Sequence, residues 1–214
     1  MYPYLRLIRV VITKSFRPKV NFHTQGEDSI KLMVLPQDID PFMELNNGRY
    51  VTLLDLGRFG YSVNVNIKKF LKENQWSMTI TGTYNNYRHR LRLFERFQLK
   101  TRLMGYDEKW FYFFQKAVKN NKTYMASVVR FSFTSKNGIV FPKEVIKAMG
   151  EEYNPNMLEE NLMFGTPDEV IKKLKLYEDL GVDNFIYYAS MGLDHASQKR
   201  SLRLFCEEVL PAFQ

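Results

Sequence analysis

Asp38 and Asp40 stand one residue apart, and a pair of asparagines, Asn46 and Asn47, follows in the stretch Asp38-Ile39-Asp40-Pro41-Phe42-Met43-Glu44-Leu45-Asn46-Asn47-Gly48-Arg49-Tyr50. Asp-x-Asp is a loop pattern, whereas Asn-Asn ahead of Tyr50, Leu53 and Leu54 reads as the start of a helix. A helix start leaves up to four backbone N–H groups without an intrahelical partner and carries partial positive charge, so it can hold a developing oxyanion. A carboxylate beside such donors is the minimum equipment for acyl transfer. The plainer reading of the same residues is that Asp and Asn satisfy local turn and cap donors.

The elements around this stretch have to position it. Ser29 to Leu35 reads as a first strand that ends at Pro36. The helix runs from about Asn47 into the sixties, with Tyr50, Leu53, Leu54, Gly57 and Tyr61 at helical spacing on one face. Gly57 costs about 1 kcal/mol of helix propensity, which makes sense if the helix must approach a sheet closely. A second helical piece spans Ile67 to Asn74. From Trp76 to Phe133 the pattern is β: Met78 to Thr81, Tyr84 to Leu93, an alternating Phe97 to Leu103, Trp110 to Val118 and Tyr124 to Phe133, with residues 119–122 as a hairpin turn. Pro142 to Met149 closes this part with a short helix. Strand, long helix, then antiparallel strands is an α+β order in which a curved sheet wraps a central helix.

Residues 151–163 form a polar linker, and residues 164–214 are a separate helix–strand–helix appendage. Thr166, Pro167 and Glu169 make a helix start with a capping box, and Val170, Leu174 and Tyr177 line one face before Gly181. Val182 to Tyr188 reads as a short strand. A last helix from about Asp194 places Leu202, Phe205 and Val209 on one side and ends at Pro211. A lone strand beside two apolar helix faces needs a partner, so the appendage is expected to dock on the first domain or on a mate.

The net charge of +8 conceals a division. Residues 1–150 hold 25 basic and 11 acidic side chains, a balance of +14, and residues 151–214 hold 6 and 12, a balance of −6. The basic residues of 88–130 are spread through alternating aromatic stretches without a nucleic-acid-binding motif, so no nucleic-acid partner is expected. Residues 1–24 are a basic amphipathic segment, too interrupted by Arg6, Arg9 and Lys14 to span a bilayer and without a secretory cleavage site. It either lies on an anionic membrane surface or packs on the rest of the protein. Cys206 is the only cysteine, which excludes an intrachain disulfide and fits a reducing compartment; on an apolar-looking helix it reads as a packing residue. The expected location is cytoplasmic, with peripheral membrane contact through residues 1–20 as the variant. His23, His89 and His195 are scattered without metal-ligand spacing, and there is neither a Gly-x-Ser-x-Gly elbow nor a glycine-rich phosphate loop.

Asp-x-Asp, four residues, then Leu45-Asn46-Asn47-Gly48-Arg49-Tyr50 resembles the signature of hotdog-fold acyl-CoA thioesterases of the 4-hydroxybenzoyl-CoA thioesterase superfamily, in particular the thioesterase-superfamily-member-6-like proteins. Val34-Leu35-Pro36, Asp55-Leu56-Gly57-Arg58, Tyr87-Arg88, Gly105 to Phe111 and Phe141 to Val145 extend the likeness over about residues 20–150. The resemblance implies a hotdog domain over residues 25–150 that assembles as a homodimer or dimer of dimers, with an acyl-CoA or related acyl thioester as substrate and no cofactor or metal. It implies Asp40 as nucleophile or general base and Asn47 as the residue whose backbone N–H polarises the thioester carbonyl. Asp38 matches a structural acidic position, Asn46 caps or orders the turn, and Tyr50 either lines the acyl pocket or packs in the core. Glu44 stands where the related proteins usually have His. A second carboxylate near Asp40 could tune a base or abolish turnover, or Glu44 could itself activate water. Arg88, Arg90 and Arg92 are either contacts for coenzyme A phosphates or a solvated sheet face. The alternative function is a non-catalytic acyl-binding or membrane-associated scaffold. Residues 164–214 resemble the C-terminal end of luciferase-like flavin monooxygenases, which are TIM-barrel enzymes. A fragment of this size cannot close such a barrel, so only local structure is carried over, and a flavin-dependent monooxygenase remnant is the weakest reading.

Overall fold

The β-rich stretch after residue 76 folds, in a computed structural model, into one antiparallel sheet around the long helix. The structure describes residues 2–20, 22, 26–154, 165–179 and 194–213, the side chains of residues 176, 177 and 179 aside. The strands are β1 (Asp28–Met33), β2 (Ser77–Tyr87), β3 (Arg96–Tyr106), β4 (Phe111–Lys119) and β5 (Lys122–Ser135), in the order β1-β3-β4-β5-β2, with β6 (Gly138–Val140) also paired to β5. Alternation sets the inner face: Phe97, Leu99 and Thr101 on β3, Phe111, Phe113 and Gln115 on β4, and Met125, Val129, Phe131 and Phe133 on β5 are all buried. The rings of Phe113 and Phe131 stack at 4.5 Å, and that of Tyr61 meets Phe113 edge-on at 5.2 Å. The β4–β5 turn places Asn120 and Asn121 at φ +48° and +60°, the two left-handed positions of a tight hairpin.

The central helix α2 (Asn47–Asn64) lies across this face. Tyr50, Leu53, Leu54, Gly57 and Tyr61 are buried, as their spacing predicts, and Gly57 is the point of closest approach. A methyl group there would meet Thr101 Oγ1 at 2.6 Å and Gln115 Nε2 at 2.9 Å. The helix has a second covered side. α1 (Tyr4–Ser15) packs on it, and a methyl group on Gly60 would reach Val10 Cγ1 at 3.2 Å. α1 is also tied by ion pairs, from Arg6 to Asp38 at 2.6 Å and from the buried Lys14 to Asp28. α1 therefore does pack on the rest of the protein through one face. α3 (Ile67–Asn74) and α4 (Pro142–Ala148) occupy the expected places. No helix among the described residues is long and apolar enough to cross a membrane.

The strand expected over Tyr84 to Leu93 is shorter than its pattern. β2 merges the two expected pieces and stops at Tyr87, where the amides of Arg88 and His89 both donate to the Tyr124 carbonyl, at 2.9 and 3.1 Å. Residues beyond serve a different contact, since the Leu91 carbonyl accepts from Leu45 N at 2.7 Å. Tertiary pairing overrides the alternating pattern there.

The chain divides into two units, Met1–Pro155 and Asn156–Gln214. In the second, α5 (Pro167–Asp179) begins with the expected capping box: Thr166 N donates to Glu169 Oε2 at 2.8 Å and Glu169 N to Thr166 Oγ1 at 3.4 Å. α6 (His195–Leu204) is capped by Asp194, and Val170, Leu174 and Val209 form a small core with Phe205 and Phe213. Pro211 does not end the last helix. A π-helical turn, Phe205–Val209, and a 3-10 turn, Leu210–Phe213, continue it, because proline near the start of a new turn owes no hydrogen bond. The wider π turn also breaks the expected register, leaving Leu202 exposed while Val209 is buried. Cys206 is exposed as well, which corrects its reading as a packing residue. The strand expected over Val182 to Tyr188 lies outside the described residues, as does most of the 151–163 linker.

Candidate active site

Between β1 and α2 the chain makes a small hairpin. Ile39 bridges Leu45, Asp40 N donates to the Glu44 carbonyl at 2.9 Å, and Met43 N donates to the Asp40 carbonyl at 3.0 Å. With Asp then Pro opening the turn and Met43 at φ +61°, this is a three-residue loop closed by a left-handed residue. Asp40 Oδ1 accepts from Phe42 N at 2.9 Å and from Glu44 N at 3.4 Å. Its other oxygen accepts no hydrogen bond among the described residues. Asp40 and Glu44 face each other across the hairpin, and paired positions of an antiparallel ladder present their side chains on one side.

Asp38 fixes this hairpin to the helix start. Its carboxylate is fully buried and accepts from Arg6 Nη2 at 2.6 Å, from Arg49 Nη2 at 2.9 Å and from Leu35 N at 3.0 Å. Burial alone would raise its pKa, but the bonds from Arg6, Leu35 and Arg49 outweigh it and hold the carboxyl below the usual range. Asn46 N donates to the Asp38 carbonyl at 2.9 Å, so the N-cap of α2 is placed by the same residue. The Asn46 side chain then accepts from Gly48 N at 2.9 Å and Arg49 N at 3.3 Å. The cap thus engages the second and third donors of the helix. The first, the Asn47 amide, donates to nothing among the described residues.

Asn47 itself lines a cleft of about 190 Å³, together with Glu44, Leu45, Tyr50, Tyr87 and residues 88–91. Glu44 is half-buried and paired to Arg90 Nε at 3.1 Å. Tyr87 donates from its hydroxyl to the Asn47 carbonyl at 3.2 Å, and its ring lies 5.5 Å from that of Tyr50. The Tyr50 hydroxyl is buried without a partner among the described residues. Burial first, then the negative field of Tyr87, Tyr124, Glu95 and Glu44, pushes its pKa up, so it stays a protonated donor. The cleft can therefore offer a carbonyl one backbone donor backed by a helix dipole, with a carboxylate and a phenol beside it.

Of the residues singled out by sequence, Glu44, Asn47, Tyr50, Arg88 and Arg90 come together in this cleft, and Arg92 does not line it. Asn46 is the cap, and Asp40 lies on the adjoining hairpin, outside the cleft lining. Tyr87, His89 and Leu91 were not marked as lining residues. Only the bend after Tyr87 brings them there, and the alternation of residues 84–93 hides that bend. Among the described residues no group of three or more His, Cys, Asp or Glu could hold a metal ion.

A family model described as thioesterase-like superfamily matches residues 34–149, just over half of the chain. Protein THEM6 of Xenopus laevis is 31% identical over 126 residues, which is 59% of this chain and 60% of that protein; the chain thus spans about 60% of this relative's length. A 61-residue stretch, 28% of the chain, is 36% identical to 17% of the oxygenase component of a flavin-dependent trigonelline monooxygenase of Acinetobacter baylyi. Among solved structures, the probable thioesterase YbaW of Escherichia coli superposes with a TM-score of 0.52, at 16% identity, over 56% of this chain and 97% of its own. The shared architecture is the hotdog fold.

Proposed function

The chain belongs to the thioesterase-like superfamily, and from that premise we propose that it hydrolyses an acyl-CoA or a related acyl thioester. The observation that carries this reading is the unspent amide of Asn47 at the first turn of α2, in a residue that lines one cleft with Glu44. The thioester carbonyl oxygen would accept from that amide, and the helix dipole would stabilise the negative charge that develops on it. Either Asp40 takes a proton from a water that attacks the acyl carbon and passes it to the departing sulfur, or Asp40 attacks the carbon itself and water then hydrolyses the mixed anhydride, its proton going to the thiolate. In both, the carbon–sulfur bond breaks, the acyl group leaves as its carboxylic acid and the carrier as its thiol. Tyr50 and Tyr87 form the apolar wall for the acyl group, and Arg88 and Arg90 at the rim face the phosphates of coenzyme A.

Glu44 supports a second assignment of the base. It lines the cleft with the Asn47 amide, whereas one oxygen of Asp40 is engaged in the turn. We assign the assembly as a homodimer through β2, an edge strand with no partner on its outer side among the described residues. Pairing there would bring a second copy beside Tyr87 and hence beside the cleft.

Thiol release from short, long and aromatic acyl-CoAs tests the reading. The expected result is turnover by the natural chain and a loss of about 10²–10⁴-fold in Asp40→Asn, the range of a missing acid–base group. Full activity in Asp40→Asn with loss in Glu44→Gln would move the base to Glu44. Binding of acyl-CoA by calorimetry without any thiol release would replace hydrolysis by the non-catalytic acyl-binding reading.

A further inference from the structure

α1 carries charge inward and apolar side chains outward, the reverse of an ordinary surface helix. Arg6 and Lys14 point into the protein, where they pair with the buried Asp38 and Asp28, and Val10 packs on Gly60 of α2. The opposite face repeats at i, i+3, i+7 and i+11: Leu5 is 85% exposed, Ile8 53%, Ile12 52% and Phe16 86%. Tyr4 is exposed beside them. The two inward ion pairs lock the rotation of the helix, since turning this stripe into the core would take Arg6 from the buried Asp38 and Lys14 from the buried Asp28.

From this geometry we infer that the outer face of α1 docks on an anionic lipid surface, with the helix lying in the plane of the interface. The apolar stripe supplies the part that enters the headgroup boundary. The charge fits: Arg9 is exposed on the helix next to the stripe, and no acidic residue occurs before Glu27, while Arg17 and Lys19, exposed just after the helix, reach Asp28 at 3.9 Å and the Val63 carbonyl at 3.0 Å. A second copy of the chain suits this face less well. The stripe has four side chains with Tyr4 beside them, whereas a stable interface of roughly 800 Å² per partner takes about 20–30 residues a side. Because Arg6 also holds Asp38, and Asp38 holds Arg49 at the start of α2, the docked helix would belong to the same rigid frame as the cleft.

The test is cosedimentation of the full chain with vesicles of phosphatidylcholine plus phosphatidylserine, against phosphatidylcholine alone. Binding to the anionic vesicles only is expected, weakening as salt is raised. The combined Leu5→Gln, Ile8→Gln, Ile12→Gln and Phe16→Gln variant should lose at least tenfold in affinity with an unchanged circular dichroism spectrum. Should that variant lose its helix signal, the single variants Leu5→Gln and Phe16→Gln still decide, each expected several-fold weaker. Arg9→Gln should cost roughly fivefold, the value of one basic residue near an anionic surface. Failure of the natural chain to bind anionic vesicles, equal binding to phosphatidylcholine alone, or undiminished binding by the apolar variants would each overturn the inference. So would a concentration-dependent dimer that the apolar variants abolish, because the face would then belong to a second copy.

Discussion

Asp38 is the residue on which the site's placement turns. Fully buried, it ties α1 through Arg6, the helix start through Arg49 and the turn that leaves β1 through Leu35. Its loss leaves two arginines facing a neutral site. Breaking a buried pair costs about 3–5 kcal/mol, and since both arginines retain some exposure the lower end of that range is expected for Asp38→Asn near neutral pH. The sign of the pH dependence follows from the lowered pKa. A carboxyl whose folded pKa lies below its unfolded value stabilises fully above the unfolded value, and that stability is lost as pH falls through the folded pKa. Urea denaturation of both proteins should therefore show a gap that is constant above about pH 5 and shrinks below about pH 4. Glu27 and Glu95, also held low by lysine partners despite the opposing effect of burial, titrate alike in both proteins and cancel in the difference. A gap that ignores pH would show that Asp38 acts by shape and not by charge. Sequence showed this residue as a structural acidic position, but not its partners, because Arg6 lies 32 positions away. Glu44 was legible as a departure from the family pattern. Its position in the cleft was not, since that depends on the hairpin's three-residue turn and on the bend after Tyr87.

Among the elements, α2 shows best how much spacing alone reveals. Its buried face and the reason for Gly57 could be read from the sequence, because a helical stripe needs a neighbour and a mid-helix glycine implies a close one. What the glycine meets could not be read. Gln115 is fixed behind it by Arg58 Nη1 at 2.6 Å, by the Leu54 carbonyl at 3.0 Å and by Thr101 Oγ1 at 2.9 Å. Arg58 is itself paired with Asp55; burial lowers its pKa, and the field of Asp55 opposes that. Gly57→Ala gains about 1 kcal/mol of helix propensity, yet overpacking a filled site costs about 1–3 kcal/mol. Because Gln115 cannot yield without breaking its bonds, overpacking wins, and a lower urea midpoint at an unchanged slope is expected. A midpoint equal to or above that of the natural chain would mean that α2 can lift off the sheet at little cost. α1 was legible only halfway. Its amphipathic pattern is plain in the sequence, but pattern does not tell which face turns inward. Burial of Lys14 and Arg6 against Asp28 and Asp38 decided that against the usual rule.

At the scale of the whole molecule, the opposite charge balances of residues 1–150 and 151–214 coincide closely with the division into Met1–Pro155 and Asn156–Gln214. The register of the last helix was legible only in part, since the π turn after α6 shifts Leu202 out of the register that a regular helix predicts. Every residue placed at the cleft and its hairpin lies in the first unit, and the second has its own small core of Val170, Leu174 and Val209. Residues 1–155 alone should therefore unfold cooperatively and release thiol from acyl-CoA at the rate of the full chain. A truncated protein that folds but is inactive would show that residues 156–214 supply part of the site. Its solubility bears on the expected docking of the appendage: apolar surface uncovered by the cut would precipitate the fragment or lower its melting temperature, and an equally stable and soluble fragment would make residues 156–214 an independent unit. Thiol release and melting temperature, measured on the same fragment, keep the two questions apart.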